Sequence, residues 1–212
     1  MPHLTCVGAH AEDIYRLLDC YRNQGISNIM ALRGDPPKEC LDFDFKKQEF
    51  SCARDLVSIL KAGRNFCVGV AVYPQGHIET DTLEQDMEYT KLKVDAGADF
   101  AVTQMFFDNA YYYALLERMR KKKIMIPVLP GILPLTDITK LKQFASLCRA
   151  TLPRAIEERM ERYRGNPADM EKEGIDVTIQ LCRDLVKHGV KRFHFFTLNK
   201  PKVITAILDA IQ

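Results

Sequence analysis

The amino-acid sequence predicts an α/β fold in which helices wrap a parallel sheet, and it favours a (βα) barrel over an open doubly wound sheet. Three observations carry this prediction. Short apolar runs recur along the chain, amphipathic segments with helical spacing lie between them, and polar residues cluster where the runs end. At 212 residues the chain is long enough for one sizeable core, so we expect a single domain spanning residues 1–212.

The apolar runs are the predicted strands. They are too continuously apolar to alternate between core and water, so we expect strands that are buried on both faces of the sheet. In chain order the runs are LTCVG (4–8), ISNIMALRG (26–34), FCVGVAVYP (66–74), FAVTQMFF (100–107), IMIPVLPGI (124–132) and RFHFFTLN (192–199). These six runs predict about six βα units.

An amphipathic helix is predicted after the first run. Ile14, Leu17, Leu18 and Tyr21 have the spacing of one helical face, and Gly25 stands where a helix commonly ends.

The same arrangement recurs twice further along the chain. Thr82 and Gln85 have the spacing of a capping box, ahead of a helix that we expect to end at Gly97. The segment VTIQLCRDLVKHG leads to Gly189 in the same way. Alternation of buried strands and helices is typical of a parallel sheet.

Polar residues at the ends of the runs favour the barrel. In a barrel the carboxyl ends of all strands meet on one face, where side chains from different strands can surround one ligand. No G-x-G-x-x-G turn follows any run, which weakens the dinucleotide-binding open sheet. The polar residues are Cys6 and His10, Arg33 and Asp35, Tyr73 and His77, Gln104 and Asp108, and Thr197 and Asn199.

Three features of the sequence each have two possible interpretations. Arg33-Gly34-Asp35, followed by two prolines, is either a ligand-binding strand end or a surface turn with a local ion pair. Asp86 and Lys93 are seven residues apart on one helical face. They are either ligand-binding residues or surface charges. The basic run from Arg118 to Lys123 is either a phosphate site or the solvated end of a helix.

The composition excludes several classes of protein. The 30 basic and 28 acidic residues nearly cancel, so we expect a small-molecule partner and neither nucleic acid nor membrane. Seven cysteines without a C-x-x-C pair and five isolated histidines argue against a disulfide framework and against a metal site. No apolar run approaches the roughly 20 residues that span a bilayer, so we expect a cytoplasmic protein.

Taken together, several segments resemble the methylenetetrahydrofolate reductase family. They are PHLTC (2–6), IMALRGDPP (29–37), VAVYPQGH (70–77), LKVDAGADFAVTQMFFD (92–108), IPVLPGILP (126–134) and FHFFTLN (193–199). The resemblance implies a (βα)8 TIM barrel that carries FAD. It also implies hydride transfer from NADH or NADPH to the flavin, and from the flavin to 5,10-methylenetetrahydrofolate, which yields 5-methyltetrahydrofolate.

The resemblance further implies the residues of the site. Those around FAD are His3, Arg33, Gly34, Asp35, Ala53, Tyr73, His77, Asp86 and Lys93. Asp35 and Gln104 are the implied catalytic residues. Asp35 is expected beside the flavin and the folate. Gln104 is expected to hydrogen-bond the pterin, because an amide can donate and accept at once. Both also bind substrate, together with Lys200, which stands where the family usually has an arginine that reaches the folate.

The family pattern also has two βα units ahead of the segment matched by PHLTC, with a glutamate that protonates the folate on the first of their strands. We therefore expect an N-terminally truncated, incomplete barrel. Two hypotheses follow: a reductase, or a catalytically impaired barrel that only binds flavin or folate or needs a complementing chain. An unrelated barrel lyase or isomerase is a weaker third. The expected partners are folate, the nicotinamide cosubstrate and further copies of the chain in a homo-oligomer.

Overall fold

The computed structural model describes residues 1–37, 42–62 and 66–212. The chain divides into two compact units. Unit 1 is Met1–Ala71, Met87–Ala101 and Lys122–Val128, and unit 2 is Val72–Asp86, Val102–Lys121 and Leu129–Gln212. The single domain expected from the sequence therefore stays a prediction.

Strands and helices alternate along most of the described residues. The strands are β1 (His3–Thr5), β2 (Asn28–Leu32), β3 (Cys67–Val72), β4 (Phe100–Thr103), β5 (Val128–Leu129), β6 (Gly131–Ile132) and β7 (His194–Phe195). The helices are α1 (Ala11–Asn23), α2 (Ala53–Lys61), α3 (Leu83–Asp95), α4 (Asn109–Lys121), α5 (Ile138–Leu147), α6 (Arg154–Glu161), α7 (Pro167–Lys187) and α8 (Pro201–Ile211), with a 3-10 turn at Phe45–Lys47.

The strands confirm the predicted α/β class of the (βα)8-barrel family. Strands β1 to β5 form one sheet in chain order, and β6 pairs with β7 in a second. The pairs β1 with β2, β2 with β3 and β6 with β7 are parallel. Each predicted run overlaps a strand, and the run 124–132 contains two, because Pro130 has no N–H to donate and separates β5 from β6.

Two expectations about these elements are wrong in part. His3 and Thr5 of β1 are exposed and only Leu4 is buried, so one face of this strand is open and it is not buried on both faces. The alternation also fails between β6 and β7, where α5, α6 and α7 follow one another. The sequence does mark the start of α7, because Asn166 and Pro167 are residues that favour the start of a helix. In the structure Asn166 accepts a hydrogen bond from the N–H of Asp169 (3.3 Å), and Pro167 begins α7.

The predicted helix ends are confirmed. Gly25, Gly97 and Gly189 have φ angles of 71°, 111° and 88°, each two residues beyond the last helical residue. At the start of α3 the Thr82 hydroxyl accepts a hydrogen bond from the N–H of Gln85 (3.1 Å). The Gln85 side chain accepts from the N–H of Asp81 (3.2 Å), so the second bond of the capping box is made one residue earlier than predicted.

Each unit has its own buried core. In unit 1 the fully buried side chains include Cys6, Ile29, Leu56, Leu60 and Val68. In unit 2 a buried cluster consists of Met105, Phe107, Leu133, Leu135, Ile138, Leu141, Ala145, Met160, Met170 and Val177, and Cys182 is also fully buried. Helix α7 approaches this cluster at Gly174, where an added Cβ would lie 1.3 Å from the carbonyl oxygen of Leu135.

Candidate functional site

In unit 1 the ends of β1 and β2 are joined through the backbone of Arg33. The N–H groups of Cys6 and Val7 donate to its carbonyl oxygen (3.2 and 2.9 Å). Gly34 follows with a φ angle of 89°, and a Cβ there would lie 2.5 Å from Cγ1 of Val7. A side chain at this position would be both strained and crowded, so the backbone between Arg33 and Asp35 requires glycine.

The side chains at this strand end carry opposite charges. The Arg33 guanidinium lies over the Phe45 ring, 4.0 Å from its centroid, and Nε of Arg33 donates to the carbonyl oxygen of Gly34 (3.3 Å). Asp35 is exposed. An oriented guanidinium suits a phosphate or carboxylate, and an exposed carboxylate suits an N–H group of a ligand.

The first turn of α2 lies beside the same strand end. The Cys6 thiol donates to the carbonyl oxygens of Arg33 and Cys52 (3.6 Å each), which brings Ala53, the first residue of α2, close to Arg33. Burial raises the pKa of Cys6 to about 11, with the nearby Cys52 adding to the effect, so the Cys6 thiol is neutral and packs as a structural group. His3 lies in β1 of the same unit.

Asp86 and Lys93 both contact backbone groups of their own unit. Lys93, in unit 1, donates from Nζ to the carbonyl oxygen of Ala71 in β3 (2.6 Å). Asp86, in unit 2, is 4% exposed, and its Oδ1 accepts a hydrogen bond from the N–H of His77 (3.3 Å). The interpretation of Asp86 as a surface charge is therefore wrong.

In unit 2 the chain leaves β3 through a loop that we call the Tyr73–Thr80 loop. The rings of Tyr73 and His77 meet edge to face, with centroids 4.7 Å apart at 76°. Because His77 is also bonded to Asp86, the structure brings three of the expected site residues together in this unit.

Gln104 and Lys200 are the substrate-binding residues expected in unit 2. Gln104 follows β4, and its N–H donates to the carbonyl oxygen of Val72 (2.8 Å), the residue before Tyr73. Nζ of Lys200 donates to Glu171 (2.9 Å) and to the hydroxyl of Thr136 (3.3 Å). Lys200 also lines a small cavity, together with Leu133, Pro134, Thr136, Asp137, Lys140, Leu141, Phe144 and Leu198.

The sequence did not reveal that Arg118 supports the Tyr73–Thr80 loop. Its Nη2 donates to the carbonyl oxygen of Pro74 (2.6 Å), and its Nε is buried without a hydrogen-bond partner. Burial lowers the pKa of the Arg118 guanidinium, and the carboxylate of Asp86 opposes that shift. Arg118 is therefore not a solvated helix end, although Lys122 of the same basic run forms a surface ion pair with Glu88 (2.5 Å).

The described residues contain neither a metal-binding cluster nor a membrane-spanning helix. Residues 1–37, 42–62 and 66–212 contain no group of three or more His, Cys, Asp or Glu side chains arranged to hold a metal ion. No helix in these ranges has the length and apolar character needed to cross a membrane.

The chain has close relatives among known proteins. The family model described as "Methylenetetrahydrofolate reductase" matches residues 1–212. The 5,10-methylenetetrahydrofolate reductase of Buchnera aphidicola subsp. Schizaphis graminum is 37% identical over 209 residues, which are 97% of this chain and 68% of that protein. The enzyme of the same name from Escherichia coli (strain K12) is 34% identical over 210 residues, which are 99% of this chain and 69% of that protein.

A relative from Schizosaccharomyces pombe (strain 972 / ATCC 24843), methylenetetrahydrofolate reductase 1, is 34% identical over 211 residues. These residues are 99% of this chain and 35% of the fungal protein. The chain thus spans about a third of that relative's length.

Proposed function

Since the chain belongs to the methylenetetrahydrofolate reductase family, we propose that it reduces 5,10-methylenetetrahydrofolate to 5-methyltetrahydrofolate. The proposed hydride donor is NADH or NADPH, and FAD is the proposed carrier. The observation that best supports the proposal is the group formed by Tyr73, His77 and Asp86 at the end of β3 in unit 2. These are residues that the family resemblance assigns to the flavin.

The side chains of each unit fit a flavin dinucleotide chemically. Arg33 and Lys93 of unit 1 supply cations that suit a diphosphate. Tyr73 and His77 of unit 2 supply half-buried rings that suit an aromatic ligand. When bound, FAD would supply the group that accepts hydride from the nicotinamide and passes it to the folate.

Asp35 and Gln104 are the proposed catalytic residues. The carboxylate of Asp35 would make a nearby flavin harder to reduce, because reduction brings negative charge to the flavin ring. The Gln104 amide can donate to and accept from the pterin at once, which orients the carbon that receives hydride.

Lys200 is proposed to bind the folate. Its ammonium group has three N–H donors, and Glu171 and Thr136 take two of them, so one can reach a substrate oxygen. Lysine offers a single point charge where the family usually has a planar arginine fork, so we expect this contact to be less directional.

Titration of the purified chain with FAD tests the cofactor assignment. We expect a saturable shift of the flavin absorbance and quenching of its fluorescence. His77→Ala should weaken binding, whereas His188→Ala, a change beyond the end of α7, should leave it unchanged. A folded protein that produces no spectral shift with FAD would contradict the proposal.

Stopped-flow measurement of the two half-reactions tests turnover. A reductase shows flavin reduction by NADH or NADPH followed by flavin reoxidation that depends on methylenetetrahydrofolate. A barrel that only binds its ligands shows no folate-dependent reoxidation. Parallel runs with NADH and NADPH would identify the donor.

A cytoplasmic homo-oligomer completes the proposal, and light scattering after size exclusion tests the oligomeric state.

A further inference from the structure

The Tyr73–Thr80 loop is held by a segment that has no part in the proposed chemistry. This segment, residues 149–151, follows α5. Nη1 of Arg149 donates to the carbonyl oxygens of His77 (3.2 Å) and Thr80 (2.8 Å). One guanidinium nitrogen therefore joins two carbonyls of the loop, on either side of Ile78 and Glu79.

A second contact joins the same segment to the loop. Nε2 of Gln75 donates to the hydroxyl of Thr151 (2.7 Å), and the N–H of Thr151 donates to Oε1 of Gln75 (2.9 Å). The two bonds form a closed pair, so Gln75 has a fixed orientation relative to Thr151.

These contacts fix the backbone of His77 at both of its polar groups. Its carbonyl oxygen accepts from Arg149 and also from the N–H (3.1 Å) and the hydroxyl (2.9 Å) of Thr80. Its N–H donates to the buried carboxylate of Asp86 (3.3 Å). With both groups held, the direction of the Cα–Cβ bond is set, and the ring meets Tyr73 edge to face.

The backbone of Arg149 supports a specific role for its side chain. Its φ angle is 53°, in the left-handed region that helix ends usually give to glycine, and it directly follows the C-terminal cap of α5 at Cys148. Glycine would relieve the strain at this position and would remove the guanidinium. Arginine is therefore better explained by its contacts with the loop carbonyls than by the local backbone.

We propose that Arg149 is a positioning residue for the cofactor, acting through the Tyr73–Thr80 loop. The inference rests on the proposed function, because Tyr73 and His77 contact FAD only under that proposal. Arg149 lowers the number of conformations open to the loop before the ligand arrives, so the cofactor binds a site that is already arranged.

The test compares Arg149→Met, Arg149→Lys and Arg154→Ala in the full chain. Methionine keeps much of the aliphatic stem and removes every N–H donor. Lysine restores one charged group, which can serve part of the two-carbonyl contact. Arg154 is the matched control, because it is an exposed arginine that pairs with Glu158 one turn along α6 (2.7 Å).

Two measurements are made on each protein. The first is hydrogen exchange of the peptide covering residues 73–80 without flavin, and the second is the dissociation constant for FAD by fluorescence quenching. Arg149→Met should speed exchange in this peptide and weaken FAD binding about tenfold, the size expected for a lost hydrogen bond to a charged group. Arg149→Lys should fall between it and wild type, and Arg154→Ala should match wild type in both measurements.

The outcomes separate this inference from the proposed function. Wild-type protein that binds no FAD would overturn the proposed function and the cofactor role of Arg149 together. Wild-type binding of FAD with an unchanged affinity or unchanged exchange in Arg149→Met would overturn the positioning role alone. If Arg149→Met does not fold, Arg149→Lys decides: faster exchange with FAD binding weakened about threefold supports the positioning role, and wild-type values in both measurements overturn it.

Discussion

Single residues decide how the strand ends are built, and Gly34 is the clearest case. Its positive φ angle and its closeness to Val7 explain why a residue without a side chain separates Arg33 from Asp35. The sequence could predict such a position, because glycine between a strand and two prolines marks a turn. It could not predict Arg149, because contacts between residues 72 positions apart leave no periodic signal.

Replacing Asp35 by asparagine should change the redox behaviour of bound flavin more than the folding of the chain. Removal of a negative charge near the flavin makes its reduced form easier to reach, and a tenfold change in that equilibrium is about 30 mV for a two-electron couple. Spectroelectrochemical titration should show a more positive midpoint potential, on the order of 30 mV. Asp209→Asn on α8 is the control, and an equal potential in both variants would make Asp35 a structural turn residue.

Replacing Gly174 by alanine should destabilise the fold despite the better helix propensity of alanine. The new Cβ would lie 1.3 Å from the carbonyl oxygen of Leu135, a backbone atom that cannot rotate away. We expect a loss of about 3 kcal/mol or more, against a propensity gain of about 1 kcal/mol. Urea unfolding monitored by circular dichroism measures the difference.

The control for this change is Asp176→Ala, an exposed position on the same helix. A Gly174→Ala midpoint at or above that of wild type would show that α7 can shift away from Leu135.

At the scale of elements, helices α4 and α7 are joined by hydrogen bonds to the carboxylate of Asp184. Oδ2 of Asp184 accepts from Nδ2 of Asn109 (2.7 Å) and from the hydroxyl of Tyr113 (2.8 Å). These hydrogen bonds, that of Asn109 first, lower the pKa of Asp184. Burial, together with the hydrogen bond to Asp184, raises the pKa of Tyr113, so the phenol stays a donor.

The Tyr113→Phe substitution should therefore cost about 1 kcal/mol of unfolding free energy at pH 7. Since the folded pKa of Asp184 is lowered, its stabilising effect is complete above the unfolded pKa and is lost as the pH falls through the folded value. The difference between wild type and Tyr113→Phe should shrink as the pH falls through that range. Thermal unfolding between pH 7 and pH 2 measures it.

The matched control is Tyr111→Phe on the same helix. A penalty for Tyr113→Phe that stays constant down to pH 2 would show that the hydroxyl does not depend on the charge of Asp184.

The elements also show how far periodicity predicts this fold. Apolar runs and glycine stops located the strands and the ends of α1, α3 and α7, because both signals are local. The break between β5 and β6 was missed although Pro130, which has no N–H to donate, marks it in the sequence. The succession of α5, α6 and α7 was missed because it follows from packing with distant segments. The capping residue Asn166 and the following Pro167 could have located the start of α7.

At the scale of the whole molecule, the prediction of one domain can be tested by calorimetry. The chain passes from unit 1 to unit 2 inside β3, between Ala71 and Val72, and again inside β4 and β5. Because each of these strands continues from one unit into the other, the two units should unfold together. We therefore expect one transition with equal calorimetric and van't Hoff enthalpies. At about 0.7 kcal/mol per residue near 60 °C, the enthalpy should be on the order of 150 kcal/mol.

Variants with a lesion in each unit provide the control. Leu60→Ala in unit 1 and Gly174→Ala in unit 2 should each move the whole transition to lower temperature without splitting it. Two resolved transitions, with only one moved by each variant, would show that the units are separate domains.

Among the described residues, two cysteines are fully buried and can report local opening of the chain. Cys6 and Cys182 are inaccessible to solvent, so each thiol reacts with an alkylating reagent only after its surroundings open, and burial also raises the pKa of both thiols. Cys6 lies in unit 1 and Cys182 in unit 2, whereas Cys20 is exposed and reports the intrinsic labelling rate. Mass spectrometry of labelled peptides therefore times the opening of each unit in the unmodified sequence, without any introduced probe.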